Sequence, residues 1–441
     1  MIPKKFKNDI KVVKNFQRPL ITMNFTIISL ARTKSLSSPI SLSASTQMRN
    51  FKLQNARLSM FSHSFARFSN FKGSASFTNS KFTNFMNSVV RFDAIQYSGN
   101  QYTTRLTYTT NSSSSIEFVS CIFHDINEAE NNGAAIYASH DYIDLSLNKV
   151  SFRNCRAPQA NGGAVYFEGQ SFHCKETCFM NCFCEYNGQA IYATTMHSMN
   201  DAYLTFQGSN INGCPNSHEI EESHNSPLFF WRGYQTVKQV NFTNNVVGDL
   251  YSALNTDDSN SLIFTDTSLI NNTGNILIGL EDARHNDDLS FVNLVNNKIY
   301  SSDYGLIYYT TKITLRSFVF EGNSPWIFHT NSQLEAYLKD CVFDSEFSAA
   351  NYSNQLVNTN NIKVDKDPKL YPISRFDTRY CWEINPPKLS AGPGTYGFLV
   401  FLALFIAFVG YALFIGYQKL ISINPQPLLP ASEDTYQKQT E

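Results

Sequence analysis

The chain has 441 residues, of which 16% are charged and 14% aromatic, and its formal net charge is −1. A length that could hold two or three domains, combined with a charged fraction well below the ~25% of an average globular chain, favours one elongated repeat domain. Aromatic side chains suit a pleated, half-buried surface, so strands are expected over helices. The near-neutral charge balance leaves no basic patch and excludes nucleic acid as the expected partner.

The N-terminal segment, residues 1–33, is basic and then mixed apolar. Its lysines and arginine precede residues 19–31, where aliphatic side chains alternate with Thr, Ser and Asn. Basic residues before apolar residues are the order of a secretory signal, although the polar residues dilute the apolar core. The alternative interpretations are a wrongly assigned start of the coding sequence and a disordered basic tail.

Residues 150–192 contain a two-part motif twice. The first copy joins Phe152 to the glycine pair Gly162-Gly163, and the second joins Phe179 to Gly188. An earlier copy, residues 121–137, carries Gly133 at the equivalent place. These glycines allow a sharp corner and close backbone stacking, so we take all four as repeat turns.

One large apolar residue in each copy marks a period along the chain. Successive markers are separated by 23 to 32 residues, an imperfect period within the 20 to 50 residues that indicate a solenoid. The markers, which we call anchors, are Phe123, Phe152, Phe179, Ile211, Phe242, Leu269, Leu294, Phe320 and Phe343.

Each anchor lies in a short run of alternating apolar and polar residues, often followed two residues later by Asn, Asp or Gly. Such a run places the anchor inward, and Asn or Gly tolerates a left-handed corner. The pattern predicts a right-handed parallel β-helix of about 10 to 12 coils, roughly 50 Å tall at ~4.8 Å per coil. We assign this domain to residues 34–383.

The pairing of Gly-Gly-Ala-[Ile/Leu/Val] with Phe-x-Asn-Asn resembles the repeat of the chlamydial polymorphic membrane proteins. Looser versions occur in pectin-lyase-like surface proteins of trichomonad protozoa. Residues 162–165 match the first motif and residues 242–245 the second, and clear matches cover about residues 118–245. The resemblance implies a right-handed parallel β-helix, extracellular display, and adhesion or host contact rather than catalysis. Because this chain carries a C-terminal hydrophobic segment, the trichomonad type fits better.

The C-terminal part predicts a membrane anchor. A Pro/Gly stalk, residues 384–395, precedes residues 396–417, which contain no charge and would span ~33 Å as a helix, enough for a ~30 Å hydrocarbon core. Residues 418–441 are polar and expected to be a disordered cytoplasmic tail. Glycosylation sequons on the N-terminal side favour a type I plasma-membrane protein with its ectodomain outside. The candidate N-glycosylation sites in the repeat region are Asn111, Asn241, Asn271 and Asn351.

The cysteines raise two hypotheses. A metal site formed by Cys174, Cys178, Cys182 and Cys184 is disfavoured, because neighbouring positions of one strand point to opposite faces. A cysteine ladder is the better hypothesis, since three cysteines stand three residues after their anchors and equivalent Cα atoms of adjacent coils lie ~4.8 Å apart. The ladder, either a disulfide or buried thiols, comprises Cys155, Cys182 and Cys214.

An enzyme remains an alternative because pectin-degrading enzymes use the same fold. Asp257 and Asp258 resemble the first carboxylate motif of polygalacturonases, and Asp287 and Asp288 follow one coil later. Paired carboxylates could catalyse hydrolysis of a glycosidic bond. The Gly-His-Gly and Arg-Ile-Lys segments of that family are absent. We therefore assign no catalytic residue, no cofactor and no metal.

The resulting expectation is a single-pass cell-surface protein whose β-helix ectodomain serves adhesion or host and matrix contact. Glycoconjugates or proteins of a host cell or matrix are the expected partners, together with the membrane. A carbohydrate-active hydrolase or lyase, and a passive surface coat, are the alternatives that the sequence leaves open.

Overall fold

The computed structural model describes residues 20–24, 38, 40–42, 50–69, 71–93, 114–196, 202–215, 226–247, 251–282, 288–300, 305–324, 327–330, 334–345 and 356–372. All of them lie in one compact unit, Met1–Pro386. The predicted stalk, membrane span and tail lie outside the described residues. Within the described part, no helix is long and apolar enough to cross a membrane.

The described secondary structure consists of short strands. In chain order they are β1 (Leu20–Asn24), β2 (Ile40–Leu42), β3 (Asn50–Gln54), β4 (Arg57–Phe61), β5 (Ala66–Ser69), β6 (Ser74–Thr78), β7 (Lys81–Phe85), β8 (Val90–Asp93), β9 (Ser114–Val119), β10 (Ile122–Asn127), β11 (Ile136–Ser139), β12 (Ile143–Asn148), β13 (Ser151–Ala157), β14 (Val165–Gly169), β15 (Ser171–Lys175), β16 (Cys178–Met180), β17 (Phe183–Cys184), β18 (Ile191–Thr195), β19 (Tyr203–Gln207), β20 (Asn210–Asn212), β21 (Leu228–Trp231), β22 (Tyr234–Lys238), β23 (Asn241–Thr243), β24 (Tyr251–Asp257), β25 (Ser261–Ile270), β26 (Thr273–Gly274), β27 (Ile276–Leu280), β28 (Asp288–Val295), β29 (Lys298–Ile299), β30 (Ile307–Tyr309), β31 (Ile313–Glu321), β32 (Phe328–His329), β33 (Glu335–Lys339), β34 (Val342–Phe343), β35 (Leu356–Asn360) and β36 (Lys363–Val364).

These strands form a coil with three sides, and they pair in parallel from turn to turn. Side one contains β1, β3, β6, β9, β12, β15, β19, β22, β33 and β35, and side two contains β4, β7, β10, β13, β16, β17, β20, β23, β34 and β36. Strands β25, β28 and β31 run along both sides without a break, which merges the two sides into one 23-stranded sheet.

Side three is a separate 11-stranded sheet formed by β2, β5, β8, β11, β14, β18, β21, β24, β27, β30 and β32. The solenoid has about nine turns. Among the described strands, β2 of side three has no side-two strand before it, and the last two turns, β33–β34 and β35–β36, have no side-three strand. The all-β parallel solenoid predicted from the sequence is thus confirmed, with slightly fewer full turns than the 10 to 12 expected.

The interior is filled because side chains alternate along each strand. Strand β12 shows the pattern most simply, since Ile143, Leu145 and Leu147 are buried while the residues between them are partly exposed. Inward positions of successive turns join into one continuous hydrophobic core from Phe51 to Phe343. Each fully buried Phe or Leu stabilises the fold by roughly 1.5–3 kcal/mol relative to exposure.

The corner between sides two and three is formed by residues with positive φ, as the Asn pattern predicts. Asn154, Asn181, Asn244 and Asn271 have φ between 51° and 55°, and Gly322 has φ of 60°. Asn occupies this left-handed region at lower cost than most residues because its short polar side chain bonds locally. The left-handed corners therefore lie two residues after the anchors, as the sequence pattern predicts.

Candidate binding surface on side three

The structure places all nine anchors in a single register. Phe82 precedes them in the same column, and each anchor is paired with the next across adjacent turns. The rings of Phe123, Phe152 and Phe179 stack face to face with centroid separations of 5.0 and 4.8 Å. Each anchor is buried, so the column belongs to the core and is not available to a ligand.

The four repeat-turn glycines lie at the corner that leads into side three. Gly133, Gly162 and Gly188 have φ of 68°, 70° and 73°, a region that other residues adopt only with strain. Gly163 is required for a different reason, because a Cβ there would overlap the carbonyl oxygen of Gln189 on the next turn. Both kinds of glycine are explained by stacking of turns.

The three cysteines of the predicted ladder lie in one buried column. Cys155, Cys182 and Cys214 are free thiols with no exposed surface. The backbone N–H of Cys182 donates to the Sγ of Cys214 at 3.2 Å. Burial raises the pKa of Cys155 and Cys214, and the neighbouring Cys182 raises it further. The structure therefore has the buried-thiol form of the ladder rather than a disulfide.

The same column continues as an asparagine ladder that the sequence analysis missed. Its members are Asn245, Asn272, Asn297 and Asn323, each three residues after an anchor. The Oδ1 of Asn272 accepts from both the backbone N–H and the Nδ2 of Asn245, at 3.1 and 2.9 Å. The backbone N–H of Cys214 donates to the Oδ1 of Asn245 at 2.8 Å, which joins the thiol and amide parts.

The outward face of side three carries a different column, formed by aromatic residues. Tyr137, Tyr166, Tyr192 and Phe229 occupy equivalent positions of β11, β14, β18 and β21. Their rings are nearly parallel, with centroid separations of 5.3, 4.9 and 5.2 Å. Since the rings cover one another's faces, the column presents ring edges and tyrosine hydroxyl groups to solvent.

A second outward column runs beside the tyrosines, two residues later on each strand. In its centre the carboxylate of Glu168 accepts from the hydroxyl of Ser139 at 2.9 Å and from the hydroxyl of Tyr166 at 3.2 Å. Burial and the charge of Glu168 raise the pKa of Tyr166, and burial raises that of Tyr192 to about 12. The tyrosine hydroxyls therefore stay protonated and act as donors at neutral pH.

Arginines close the N-terminal end of the two columns. The guanidinium of Arg91 lies over the ring of Tyr137 at 4.4 Å from its centroid and contacts Asp93 at 3.5 Å. Arg67 forms a closer ion pair with Asp93 at 2.7 Å, and Arg91 also reaches the buried Glu128 at 3.9 Å. The carboxylates at this end are thus matched by cations.

At the C-terminal end the ring of Tyr251 fills a gap in the aromatic column. A Cβ on Gly279 would overlap that ring, so only glycine permits this position. The hydroxyl of Tyr251 donates to Glu281, and its ring lies 6.4 Å from that of Tyr308. Asn255 is buried beneath this group, and its Oδ1 has no hydrogen-bond partner.

The carboxylates considered for the enzyme alternative lie in two separate places. Asp257 lies in the second outward column, where burial and then the charges of Glu281, Asp282 and Asp258 raise its pKa. Asp258 pairs with Arg232 at 3.4 Å. Asp288 belongs to side one, where it is paired with Ile263, and Asp287 lies outside the described residues. Among the acidic neighbours of Asp257, Glu281 raises its pKa the most, and the sequence pattern did not indicate it.

The remaining predicted positions are placed as follows. Asn271 is exposed at a corner and Asn241 is partly exposed in β23, whereas Asn111 and Asn351 lie outside the described residues. Cys174 and Cys184 are buried free thiols, whose pKa burial raises to about 12 in each case. Among the described residues, no group of three or more His, Cys, Asp or Glu is arranged to hold a metal ion.

We call the two outward columns from Arg91 to Glu281 the side-three strip. Three of its tyrosines follow a small residue and a branched aliphatic residue in the repeated turn motif, so their period was visible in the sequence. What the sequence did not reveal is that these tyrosines point outward. The chain matches no family model, no curated protein and no solved structure. The fold defines the molecule as a parallel β-solenoid protein, and the strip is its candidate binding surface.

Proposed function

We propose that the protein is a type I cell-surface protein whose solenoid ectodomain binds glycoconjugates along the side-three strip. The observation that carries the proposal is the row of outward tyrosine hydroxyls beside Glu168, repeated on consecutive turns about 4.8 Å apart. Sugar hydroxyl groups need closely spaced donors and acceptors, and carboxylates accept strong hydrogen bonds. A regular row of such groups fits an extended polymer of hydroxyl-bearing units.

The chemistry of the strip distinguishes it from the rest of the outer surface. Because the ring faces stack on one another, a sugar would meet ring edges and hydroxyls rather than open aromatic faces. The apolar ring bodies exclude water between the polar groups, which strengthens hydrogen bonds formed there.

We propose right-handed coiling on general grounds, since parallel crossover connections are right-handed in ~98% of cases.

Display at the plasma membrane completes the proposal. It is supported by the uncharged residues 396–417 and by the exposed sequon at Asn271 on a solenoid corner. Full-length protein with an epitope inserted directly after residue 33 should be stained by antibody on intact cells, and enzymatic removal of N-glycans should increase its gel mobility. Staining that requires permeabilised cells would contradict the type I arrangement.

The binding proposal is tested with the full-length protein on cells and a panel of immobilised glycans. Glu168→Gln, combined with Tyr166→Phe, removes a charged acceptor and a donor while preserving the ring stack. We expect binding of any recognised glycan to fall at least tenfold, since two hydrogen bonds to charged or buried groups are worth ~1.5–3 kcal/mol each. Tyr203→Phe is the matched control, because Tyr203 stacks with Tyr234 on side one, away from the strip. An equal loss of glycan binding in the double variant and in Tyr203→Phe would show that the binding site lies outside the side-three strip.

A carbohydrate-active enzyme is the second candidate, favoured by one observation. Burial and the charge of Glu281 raise the pKa of Asp257, and an acid with a raised pKa near a second carboxylate is the arrangement that glycosidic hydrolysis uses. Incubation of the protein with polysaccharides should release no reducing or unsaturated ends if the protein only binds. If such ends are released, and Asp257→Asn abolishes their release while binding stays intact, the enzyme hypothesis would replace the binding proposal.

A further inference from the structure

The tyrosine column of side three continues into two arginines at its N-terminal end. Tyr137 is paired with Arg91 on β8, and Arg91 is paired with Arg67 on β5, so both arginines occupy the outward position of the tyrosines. The guanidinium of Arg91 lies over the ring of Tyr137, and its side chain is 13% exposed. Arg67 stands one turn further out and is 54% exposed. The column therefore ends in a cation that solvent reaches.

Asp93 holds the exposed guanidinium of Arg67 in place. The Nε of Arg67 donates to the Oδ2 of Asp93 at 2.7 Å, and the Oδ1 of the same carboxylate lies 3.5 Å from Arg91. Among the described residues, Arg67 makes no other hydrogen bond or ion pair. Its two terminal nitrogens form the planar fork that matches the two oxygens of a carboxylate. Because Asp93 fixes one edge of the guanidinium, less side-chain freedom is lost when the fork binds.

The second carboxylate at this end is turned into the protein. Glu128 is 1% exposed and lies 3.9 Å from Arg91. Its oxygens accept from the backbone N–H of Ser88 at 2.8 Å and from the side-chain amide of Asn131 at 3.0 Å. These hydrogen bonds satisfy Glu128 in the interior. The side that faces solvent carries two guanidinium groups and one carboxylate, so it attracts an anion.

The middle and the far end of the side-three strip are acidic. Glu168 lies in the middle, where two hydroxyl groups donate to its carboxylate. At the far end, the backbone N–H of Asp258 donates to the carbonyl oxygen of Glu281 at 3.2 Å, which places Glu281 beside Asp257 on the next turn. An anion bound at either place would face a carboxylate.

Distance separates the arginines from these carboxylates. Arg67 is three turns from Glu168 and six turns from Asp257, which is about 14 Å and about 29 Å at ~4.8 Å per turn. Both distances exceed the Debye length of ~8 Å at physiological ionic strength. An anionic group at the arginines is therefore largely screened from the acidic part of the strip.

We propose that Arg67 and Arg91 bind the carboxylate of an acidic sugar at one end of the glycan, while neutral units of the same glycan lie along the tyrosine hydroxyls. The inference rests on the proposed glycan binding and narrows it to oligosaccharides with a terminal acidic sugar. Arg67 supplies the exposed fork, and Arg91 supplies a second positive charge one turn away. Polymers with a carboxylate on every unit are disfavoured, because like charges that face each other across an interface oppose binding.

Matched ligands test this class with the purified full-length protein. The probes are sialyllactose, an oligosaccharide that ends in glucuronate, the carboxyl methyl ester of each, and polygalacturonate. Each ester keeps the shape of its acid and lacks the charge. We expect at least one acid to bind about tenfold more tightly than its own ester, and polygalacturonate to bind no more tightly than the esters. Equal affinity for acid and ester in both pairs, or tightest binding of polygalacturonate, would overturn the inference.

Substitution of Arg67 tests which group binds the carboxylate. Arg67→Gln removes the charged fork from an exposed side chain, so affinity for the acid should fall about tenfold while affinity for the ester stays unchanged. Arg67→Lys keeps the charge without the fork and should retain part of the preference. Arg57→Gln is the matched control, since Arg57 is an exposed arginine of β4 on side two. Unchanged affinity for the acid in Arg67→Gln, or an equal loss in Arg57→Gln, would refute the assignment.

The acidic-sugar inference and the proposed glycan binding fail in different ways. If the esters bind and their binding depends on Glu168 and Tyr166, while no acid is preferred, glycan binding stands and the acidic-sugar inference is wrong. If no glycan of either panel binds, the proposed function is wrong and the inference falls with it.

Discussion

The two halves of the solenoid use different chemistry at one structural position. Up to Cys214, the position three residues after the anchor is apolar or a thiol, with Phe85, Ile126 and Cys155 in successive turns. From Asn245 onward it is an amide whose hydrogen bonds run from turn to turn. The backbone corner is the same in both halves, because Asn154 and Asn271 both have positive φ.

The residue types of the anchors also differ between the two halves. In the N-terminal half, four consecutive phenylalanines stack, whereas Leu269 and Leu294 occupy the column later. The comparison teaches that a solenoid turn needs a filled interior and satisfied corner groups, and that either packing or hydrogen bonding can supply the corner. Ring anchors occur beside both kinds of corner, because Phe242 and Phe320 are followed by the amides of Asn245 and Asn323.

The largest effect is expected from Phe152→Ala in the stacked half. It removes a buried ring that contacts Phe123 and Phe179, so we expect a loss of about 4–5 kcal/mol, from cavity formation and two ring contacts. Leu294→Ala in the other half should cost about 3 kcal/mol. Urea unfolding followed by local hydrogen exchange measures both. A larger loss for Leu294→Ala would contradict the assigned role of the ring stack.

Asn272→Leu should destabilise the amide half by about 3 kcal/mol. The backbone N–H and the Nδ2 of Asn245 would both lose their acceptor in a buried place, at ~1–3 kcal/mol each. Asn272→Cys should cost about half as much, because the Sγ of Cys214 already accepts a backbone N–H in the equivalent place. If both variants unfold at the same urea concentration, a thiol cannot replace an amide in this column.

Cys182→Ala is expected to cost only about 1–2 kcal/mol. The variant loses one buried sulfur atom, while the N–H of residue 182 still donates to Cys214. The effect of a reducing agent on the unfolding free energy should be equal in wild type and Cys182→Ala, since the ladder thiols are free. A smaller effect of the reducing agent in Cys182→Ala than in wild type would reveal a ladder disulfide.

The smallest effect concerns two carboxylates in the same outward column of side three. Asp93 is matched by Arg67 and Arg91, whereas Asp257 faces Glu281. At pH 7, Asp93→Asn should therefore lower the free energy of unfolding and Asp257→Asn should raise it, each by up to about 1 kcal/mol.

The pH dependence of Asp257→Asn follows from the raised pKa of Asp257. A carboxyl with a raised folded-state pKa contributes stability below its ordinary value of 3.8, and that contribution is lost as the pH rises through the raised value. The gain from Asp257→Asn should thus be absent below pH 4 and grow toward pH 7. Stability curves of variant and wild type measured across this range provide the check. A gain that is constant with pH would exclude charge repulsion as its cause.

Much of the solenoid followed from the sequence because its repeat is a physical constraint. Phe152 and Phe179, which the period relates, are paired on adjacent turns in the structure. Asn at the second position after the anchor has the positive φ of a left-handed corner, as predicted. Period-2 alternation fixes which residues face inward once one anchor is known. The sequence therefore predicted both the fold and its column of anchors.

The asparagine ladder and the Tyr251 position could not be read in the same way. Asn245 follows Asn244 directly, and a polar pair in sequence indicates only a turn, whichever of the two points inward. The ring of Tyr251 depends on a β-bulge between Tyr251 and Leu254, and on the absence of a side chain at Gly279 in the next turn. Such contacts join residues of different turns, and their distance depends on how the turns stack.

The shared register also makes the solenoid tolerant to inserted chain. Phe82 and Phe123 are neighbours across one turn although 41 residues separate them, whereas Phe152 and Phe179 are separated by 27. The register is continuous on both sides of residues 94–113, since β8 pairs with β11, and β9 pairs with β6 and β12. Corners between such strands are natural grafting points for a foreign peptide, and removal of one whole turn would shorten the molecule by ~4.8 Å while preserving its surface pattern.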